Sequence, residues 1–480
     1  MPDHPDQSHA FGGGSSETIL SPIVLVGMLI AIVMIFFLPR KYLIIPFLFF
    51  AFLVPVGQQI YLLGVHWLTL RIVILAGLGR LCQRTISSKT SVFGGGFNSV
   101  DQALIYCVGC EAVGTVLQYM QSQALVNQFG FLIDEVGAYV LLRFLIQDRE
   151  DIYRAIKCLA VLAAILACFM VREQLTLRNA FGALGGVQLA PDVREGKIRS
   201  QGVFQHALMA GSFAATLVPL FFLLWKNGKA KLLALIGVIG CTVMTITSQS
   251  STPLLAYVAG VVAICLWGLR RSMRLLRWGV VISLLALAMV MKAPVWFVIA
   301  HIDLTGGSSG YHRAELIDQF IRHFFDWWLI GTKDAGTWGW DLWDAQNQYV
   351  NVGESGGLLA FVFFITMICR CYSRIGVARK AISGRRREEW LVWLLGAALF
   401  AHLAAFFGVN YFDQSKMSWF LLLAMISAAT APILAKRGIY KQPQTAPEPE
   451  LELMPEVAHL REALIASNAI MNNRLLVRDL

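Results

Sequence analysis

Charge is what this sequence of 480 residues has little of: Asp, Glu, Lys and Arg make up 15% of it, against 57% hydrophobic residues. A soluble protein carries about 25% charged residues, so a soluble secreted enzyme, a nucleic-acid reader and a disordered scaffold are excluded. Lysine and arginine are absent from the first twenty residues, which are polar and rich in Gly and Ser. Without a positive segment ahead of an apolar one, no cleavable signal peptide is expected there. Alternation with a period of two is missing too, so apolar runs of about 20 residues read as membrane helices and not as barrel strands. The nine cysteines fall in apolar runs or in segments assigned to the cytoplasmic side, and they imply no disulfide framework. Cys107 and Cys110 form a CxxC with no second pair or suitably spaced histidine, and read as small buried hydrophobes. There is no HExxH, no His/Cys cluster with metal spacing and no DxD pair in an external segment, so neither a metal nor a cofactor is expected. Ser248 to Ser251 lack a Gly-x-Ser-x-Gly setting, which argues against a serine nucleophile.

What is present is a series of apolar runs that reads as an all-α polytopic membrane protein of about 13 transmembrane helices. The runs begin near Ile19, Tyr42, His66, Gln102, Phe129, Lys157, Gly202, Leu232, Thr252, Trp278, Gly357, Trp390 and Met417. Loop charges orient them. With the N-terminus outside, the inward loops hold Arg40/Lys41, Arg80/Arg84/Lys89, Arg149/Arg154/Lys157, Lys226/Lys229/Lys231, Arg270/Arg271/Arg274/Arg277, Arg370 through Arg387, and Lys436/Arg437/Lys441. The short outward loops near Gln58, Gln121, Ser250 and Asn410 hold only Lys416. An odd number of spans, N-terminus out and C-terminus in, satisfies the positive-inside rule at every short loop. The expected organisation is a polar external tail over 1–18, a transmembrane domain over 19–437 and a cytoplasmic tail over 438–480. That last tail is rich in Pro and acidic residues, with a short helix expected from Glu456 to about Ile470.

Two long outward segments, 172–201 and 301–355, keep basic residues on the side where they are normally sparse. The first carries Arg172, Arg178, Arg194, Lys197 and Arg199; the second carries Arg313, Arg322 and Lys333. An anionic substrate is the simplest reason for positive charge held against the topological bias, scattered solvated arginines or headgroup contacts being the other. Guanidinium suits phosphate because its planar fork donates two hydrogen bonds and its charge does not titrate. His206 sits about one turn inside the seventh run. From Ala314 to Phe325, Leu316, Ile317, Phe320, Ile321 and Phe324 recur at helical spacing, which predicts an amphipathic helix on the outer interface. Arg313 opens it, where the macrodipole disfavours a cation and an anionic ligand would offset that cost. Five of the thirteen tryptophans lie between Trp327 and Trp343, as expected of an interfacial belt or of sugar-stacking surfaces. Asp344, Gln346, Asn347 and Glu354 close the segment, and a carboxylate beside arginines there suits either proton acceptance from a sugar hydroxyl or an ion pair that holds the loop.

The order of these parts resembles the O-antigen ligase/polymerase family of bacterial membrane glycosyltransferases. The resemblance rests on Arg199-x-x-Gly202-x-Phe204-x-His206 opening a span, Ser248 to Ser251 between two spans, and Arg313 ahead of Gly331. Asn347-Gln348-Tyr349 follows, then Glu354-x-Gly356-Gly357 and an apolar helix. It covers roughly Leu20 to Ile433. It implies a metal-independent inverting glycosyltransferase of the bacterial inner membrane that polymerises or transfers polyprenyl-pyrophosphate-linked saccharide units at the periplasmic face. The family's pyrophosphate-binding arginines map onto Arg199 and Arg313, with Arg194, His206, His312, Gln346 and Asn347 as further substrate-binding candidates. Where the ligases usually show His-Asn, this sequence has Gln346-Asn347. Glutamine is no general base, which leaves Asp344, Glu354 or His312 for that role, makes Arg313, Asp344 and Glu354 the catalytic candidates, and favours a polymerase over a ligase. Expected partners are the lipid-linked oligosaccharide, a glycan acceptor and polysaccharide assembly and export proteins. The rival class is a transporter or flippase for a lipid-linked glycan, for which the intramembrane charges Arg71, Glu111, Asp134, Glu135, Arg143 and Lys292 would be the evidence.

Overall fold

The computed structural model describes residues 18–436 apart from 63, 88–91, 229, 302–309, 341, 343–344, 413 and the side chains of residues 299 and 301. Asp344, the C-terminal tail with its expected helix and nearly all of the N-terminal tail lie outside the described residues. Among the described residues the fold is all-α but for two short hairpins. Helices α1 (Pro22–Phe37) and α2 (Arg40–Leu53) lead to strands β1 (Gln59–Leu62) and β2 (Val65–Leu68), paired antiparallel with Gln59 opposite Leu68. Then come α3 (Thr69–Ser87), α4 (Ser99–Tyr119), α5 (Ser122–Leu132), α6 (Ala138–Leu145) and α7 (Arg149–Thr176). A second hairpin, β3 (Asp192–Arg194) and β4 (Lys197–Arg199), precedes α8 (Ala207–Asn227), α9 (Lys231–Thr247), α10 (Ser251–Cys265) and α11 (Met273–Val290). Helices α12 (Gly310–Arg322) and α13 (Phe324–Trp327) belong to the second long segment, and α14 (Gln348–Ala381), α15 (Arg386–Phe406) and α16 (Gln414–Ala435) are the last elements among the described residues.

Among the described residues, nine helices are long and apolar enough to cross a membrane: α4, α5 with α6, α7, α8, α10 with its 3-10 extension to Leu269, α11, α14, α15 and α16. Helices α1 and α9 are apolar but shorter. Helix ends follow local chemistry. Asn98 and Asp101 form a reciprocal capping box on α4, and the Asp148 side chain accepts from Asp151 N at the start of α7. Helices α8 and α16 are 89% buried over their apolar windows and form the centre of the bundle, whereas no residue of α11 is buried.

Four of the intramembrane charges, Arg71, Asp134, Glu135 and Arg143, meet oppositely charged partners. The Arg71 fork takes both oxygens of Asp134, at 3.0 and 2.6 Å. Arg143 Nε donates to Asp101, which Tyr139 OH also bonds, and Lys416 Nζ pairs with Glu135. Asp134 and Glu135 lie in a π-helical turn, Ile133–Gly137, joining α5 to α6. The extra residue in such a turn re-aims neighbouring side chains, here toward Arg71 on one side and Lys416 on the other.

Helix α14 differs from expectation in its start. It opens at Gln348, not near Gly357, because the Asn347 side chain accepts from Tyr349 N and Val350 N. Gly357, at φ +71°, kinks it. Small residues let α14 approach α4: a methyl at Gly114 would stand 2.7 Å from Ser355 O, and one at Gly356 2.8 Å from the Glu111 backbone.

Candidate functional site

The first basic segment is held by the end of α7. The buried Glu173 carboxylate accepts from Gln201 N at 3.1 Å and Gly202 N at 2.8 Å. Gln174 donates to Ile198 O and accepts from Ser200 Oγ, and Asn179 Nδ2 donates to Gly202 O at 2.7 Å. Gly202 is required here: its φ is +59° and a Cβ would stand 3.2 Å from Met170. This strap places Arg199 at the strand end, its Nη1 3.1 Å from Asp192 across the hairpin. Arg194 lies at the turn of the same hairpin, opposite Lys197 and exposed. Beyond the strap, Ser200 N donates to Thr247 O, the last residue of α9.

That bond attaches the first segment to the turn between α9 and α10, residues 248–250. The turn is tight: Gln249 adopts φ +44°, a left-handed conformation that costs a residue with a side chain roughly 1 kcal/mol or more and persists only where surroundings enforce it. Ser248 is buried against Gly211 of α8, where an added Cβ would meet its Oγ at 2.4 Å. On the far side, Thr252 Oγ1 reaches Gly408 O at 3.4 Å.

Gly408 belongs to the loop between α15 and α16, and it brings in the second segment. A Cβ there would stand 2.9 Å from Arg313 Nε, so the buried Arg313 lies against the Gly408 backbone and beside Thr252. One residue earlier, Phe407 O accepts from Asn347 Nδ2 at 3.4 Å. Tyr411 N donates to Gln348 Oε1 at 2.6 Å, and the Tyr411 hydroxyl lies 2.9 Å from His402 Nδ1. Burial, and secondarily the neighbouring Tyr349, pushes the Tyr411 phenol above its ordinary range, so this hydroxyl stays neutral. His206 sits at the cap position just before α8, not inside it, with its ring edge-on to Phe412 at 6.0 Å.

The second segment folds over this end as a cap with its own core: Leu316, Phe320, Trp327, Ala335, Trp338, Leu342 and Ala345 pack with Val350 of α14. The amphipathic helix is present as α12, one turn earlier than its pattern suggested, and turns Leu316 and Phe320 into this core. Trp327 stacks on Phe320 at 4.0 Å and donates Nε1 to Phe320 O, so Trp327 and Trp338 are structural, while Trp328 and Trp340 are exposed. Gln118 of α4 fastens the base of the cap, its Nε2 donating to Ile330 O at 2.7 Å and to Glu354 O and Ser355 O at 3.1 Å.

Arg313 and Asn347 thus meet adjacent residues of one loop, and the Arg199 strap and Arg313 lie at the two ends of the α9–α10 turn, at Thr247 and beside Thr252. Arg194 stands off on the hairpin. Glu354 is in the second turn of α14, half-buried, with its carbonyl accepting from Thr332 N and Gln118. His312 and Gln346 are half-buried beside Arg313 and Asn347 in the chain. Sequence reasoning missed Glu173, Gln118, Thr252, Gly408 and Tyr411. For Glu173 the signal was a carboxylate late in an apolar run, and for Gly408 and Tyr411 a Gly-Val-Asn-Tyr turn between two apolar runs. The chemistry available is a buried guanidinium at the end of the bundle, positioned by backbone and walled by a cap, which suits an anionic group better than a neutral one. No protein-family model matches the sequence, and no curated protein is significantly similar to it.

Proposed function

We propose that the chain is a bacterial inner-membrane glycosyltransferase that polymerises or transfers polyprenyl-pyrophosphate-linked saccharide units at the periplasmic face, with thirteen spans and its N-terminus outside. The observation that carries this reading is the convergence on residues 247–252, the α9–α10 turn with its flanking helix ends. Ser200, next to Arg199, holds one side of it, and Arg313, over a hundred residues later, is buried on the other. Breaking the sugar–phosphate bond leaves a pyrophosphate anion, and preorganised guanidinium groups stabilise that growing charge in a partly dehydrated site. In this reading Arg313 and Arg199 bind the pyrophosphate, and the cap covers the sugar. Asp344 or Glu354 takes the proton of the attacking hydroxyl as its oxygen bonds the anomeric carbon. Polymerase is preferred to ligase because Gln346 stands where the ligases usually show histidine. Of the intramembrane charges, Arg71, Asp134, Glu135 and Arg143 each meet an oppositely charged neighbour, which favours structural pairs over a translocation path, while Glu111 accepts from Cys107 and Lys292 is exposed.

The test is purified full-length protein given polyprenyl-pyrophosphate oligosaccharide alone, with products resolved by size. A ladder is expected. Transfer only after a lipid-A-type acceptor is added would make the protein a ligase. No transfer under either condition, with the lipid-linked glycan instead appearing in the opposite leaflet of a vesicle, would replace the reading by a flippase.

A further inference from the structure

Helix α11 is the one candidate span among the described residues with no buried residue. Along it runs a groove of about 490 Å³ lined by Leu269, Ser272, Leu275, Leu276, Gly279, Val280, Ser283 and Leu284. These are one open stripe of α11, continued at one end by Leu269 of the preceding turn. From Ser272 to Leu284 the groove is about 18 Å long at 1.5 Å per residue, close to the roughly 15 Å depth of one leaflet of a 30 Å hydrocarbon core. It is therefore the length of one lipid chain.

The mouth of the groove is basic. Arg270 and Arg271 stand in the turn between Leu269 and Ser272, and Arg277 follows Leu276 at the edge of the stripe, whereas Arg274 points from the opposite face of the helix. No acidic residue occurs from Leu266 to Val290. Arg270 pairs with Glu389 at 3.2 Å and rests on the Trp267 ring, while Arg271 and Arg277 are exposed. The first turn of α11 contains no acidic residue, and its cap, Ser272, makes no side-chain capping bond. The partial positive charge of the helix start adds to that of the arginines.

We propose that this groove is a binding site for an anionic phospholipid of the adjacent leaflet, with one acyl chain along the α11 stripe and the phosphate between Arg271, Arg277 and the start of α11. Charge complementarity selects an anionic over a zwitterionic headgroup, and groove length selects a single leaflet's chain. The site lies at the opposite end of α10 from Thr252, so it is separate from the site for glycan transfer and does not depend on that function.

The experiment uses the full-length protein, delipidated in detergent and titrated with phosphatidylglycerol or phosphatidylcholine, with retained lipid counted by native mass spectrometry. Wild type is expected to hold phosphatidylglycerol about tenfold more tightly than phosphatidylcholine. Arg271→Gln with Arg277→Gln should abolish that preference, and Arg274→Gln should keep it. Gly279→Leu should reduce retention of both lipids, and it has room because no atom lies within 4 Å of a Cβ at that position. Equal retention of the two lipids by wild type would overturn the proposal, and so would unchanged retention in the groove variants. Loss in Arg274→Gln as large as in the double variant would reduce the effect to general charge attraction. Displacement of phosphatidylglycerol by equimolar polyprenyl phosphate would make the occupant the substrate lipid and not a phospholipid.

Discussion

Replacing Gly408 with alanine adds one methyl group and removes no functional group, yet it bears directly on Arg313. The new Cβ would stand 2.3 Å from Thr252 Oγ1 and 2.9 Å from Arg313 Nε, about 1.1 Å and 0.5 Å inside the ordinary contact distance of 3.4 Å. Thr252 is β-branched and buried, so its escape is an off-rotamer χ1 costing roughly 0.5–1.5 kcal/mol. Its bond to Gly408 O, at 3.4 Å, is too long to add much to that. A stability loss of about 1–2 kcal/mol is expected, in the usual range for an overpacked site. The guanidinium moves by a good fraction of an ångström, and a 1 Å misplacement of a positioned group costs about a hundredfold in rate. Gly408→Ala should therefore lower glycan transfer by about ten- to a hundredfold while the protein stays folded and membrane-inserted, read by product size in the purified system and by thermal melting in detergent. Pairing it with Thr252→Ala removes two of the three close contacts, to Oγ1 at 2.3 Å and Cγ2 at 3.0 Å, and should recover part of the rate. Wild-type turnover in Gly408→Ala beside an inactive Arg313→Ala would show that Arg313 works from some other position. Wild-type turnover in both would remove Arg313 from the chemistry altogether.

Glu173→Ala removes a buried carboxylate that holds two backbone N–H groups, and hydrogen bonds to charged groups contribute about 1.5–3 kcal/mol each. Melting should drop accordingly and transfer should fall with it, whereas Asp192→Ala, which frees Arg199 from a largely exposed partner, should change stability by less than about 1 kcal/mol. Cysteines introduced at Gly185 and Gly336 should react with an impermeant thiol reagent from outside and one at Ser383 should not; reversed labelling would overturn the orientation. With glutamine at position 346, the wild-type pH profile should show no steep loss near the imidazole pKa of about 6.5. A carboxylate base gives activity that is present above its pKa and lost as pH falls through it. Asp344→Asn is expected to abolish that limb and to cost more than Glu354→Gln, and full activity of both across pH 5 to 8 would end the case for a base in this segment.

The helices were legible in the sequence because each apolar run is bounded by charges at its inward end and by polar or turn residues at most outward ends. A helix begins within about nine residues of each of the thirteen expected starts, from α1 near Ile19 to α16 near Met417, but among the described residues only nine helices are long and apolar enough to cross a membrane. The start of α14 was not legible, because Gly353, Gly356 and Gly357 read as a break. The structure uses Gly356 for close packing on α4 and Gly357 for a kink, after a cap at Asn347 has already begun the helix. The candidate site was legible as two basic segments, but not as one place. What joins Arg313 to Asn347 is the backbone of Phe407 and Gly408, and what joins the Arg199 strap to Arg313 is the stretch 247–252 around the α9–α10 turn. Backbone carbonyls carry no sequence signature. The Trp-rich stretch read as a surface, and burial of Trp327 and Trp338 in a cap core depended on Val350 reaching it from α14.

The pairing of Glu135 with Lys416 spans 281 residues of chain. At about 5–20 residues per second, α16 follows the π-helical turn out of the ribosome by roughly 14 to 56 s. Throughout that interval α5 and α6 hold in the membrane a carboxylate whose counter-ion has not yet been made, against an insertion cost of about 2.5–3.5 kcal/mol for a charge near a helix centre. The first half of the bundle is thus incomplete until the last helix arrives. Assembly closes from the C-terminal end, and a chain that stops before Lys416 leaves its fifth helix without the partner that fixes it.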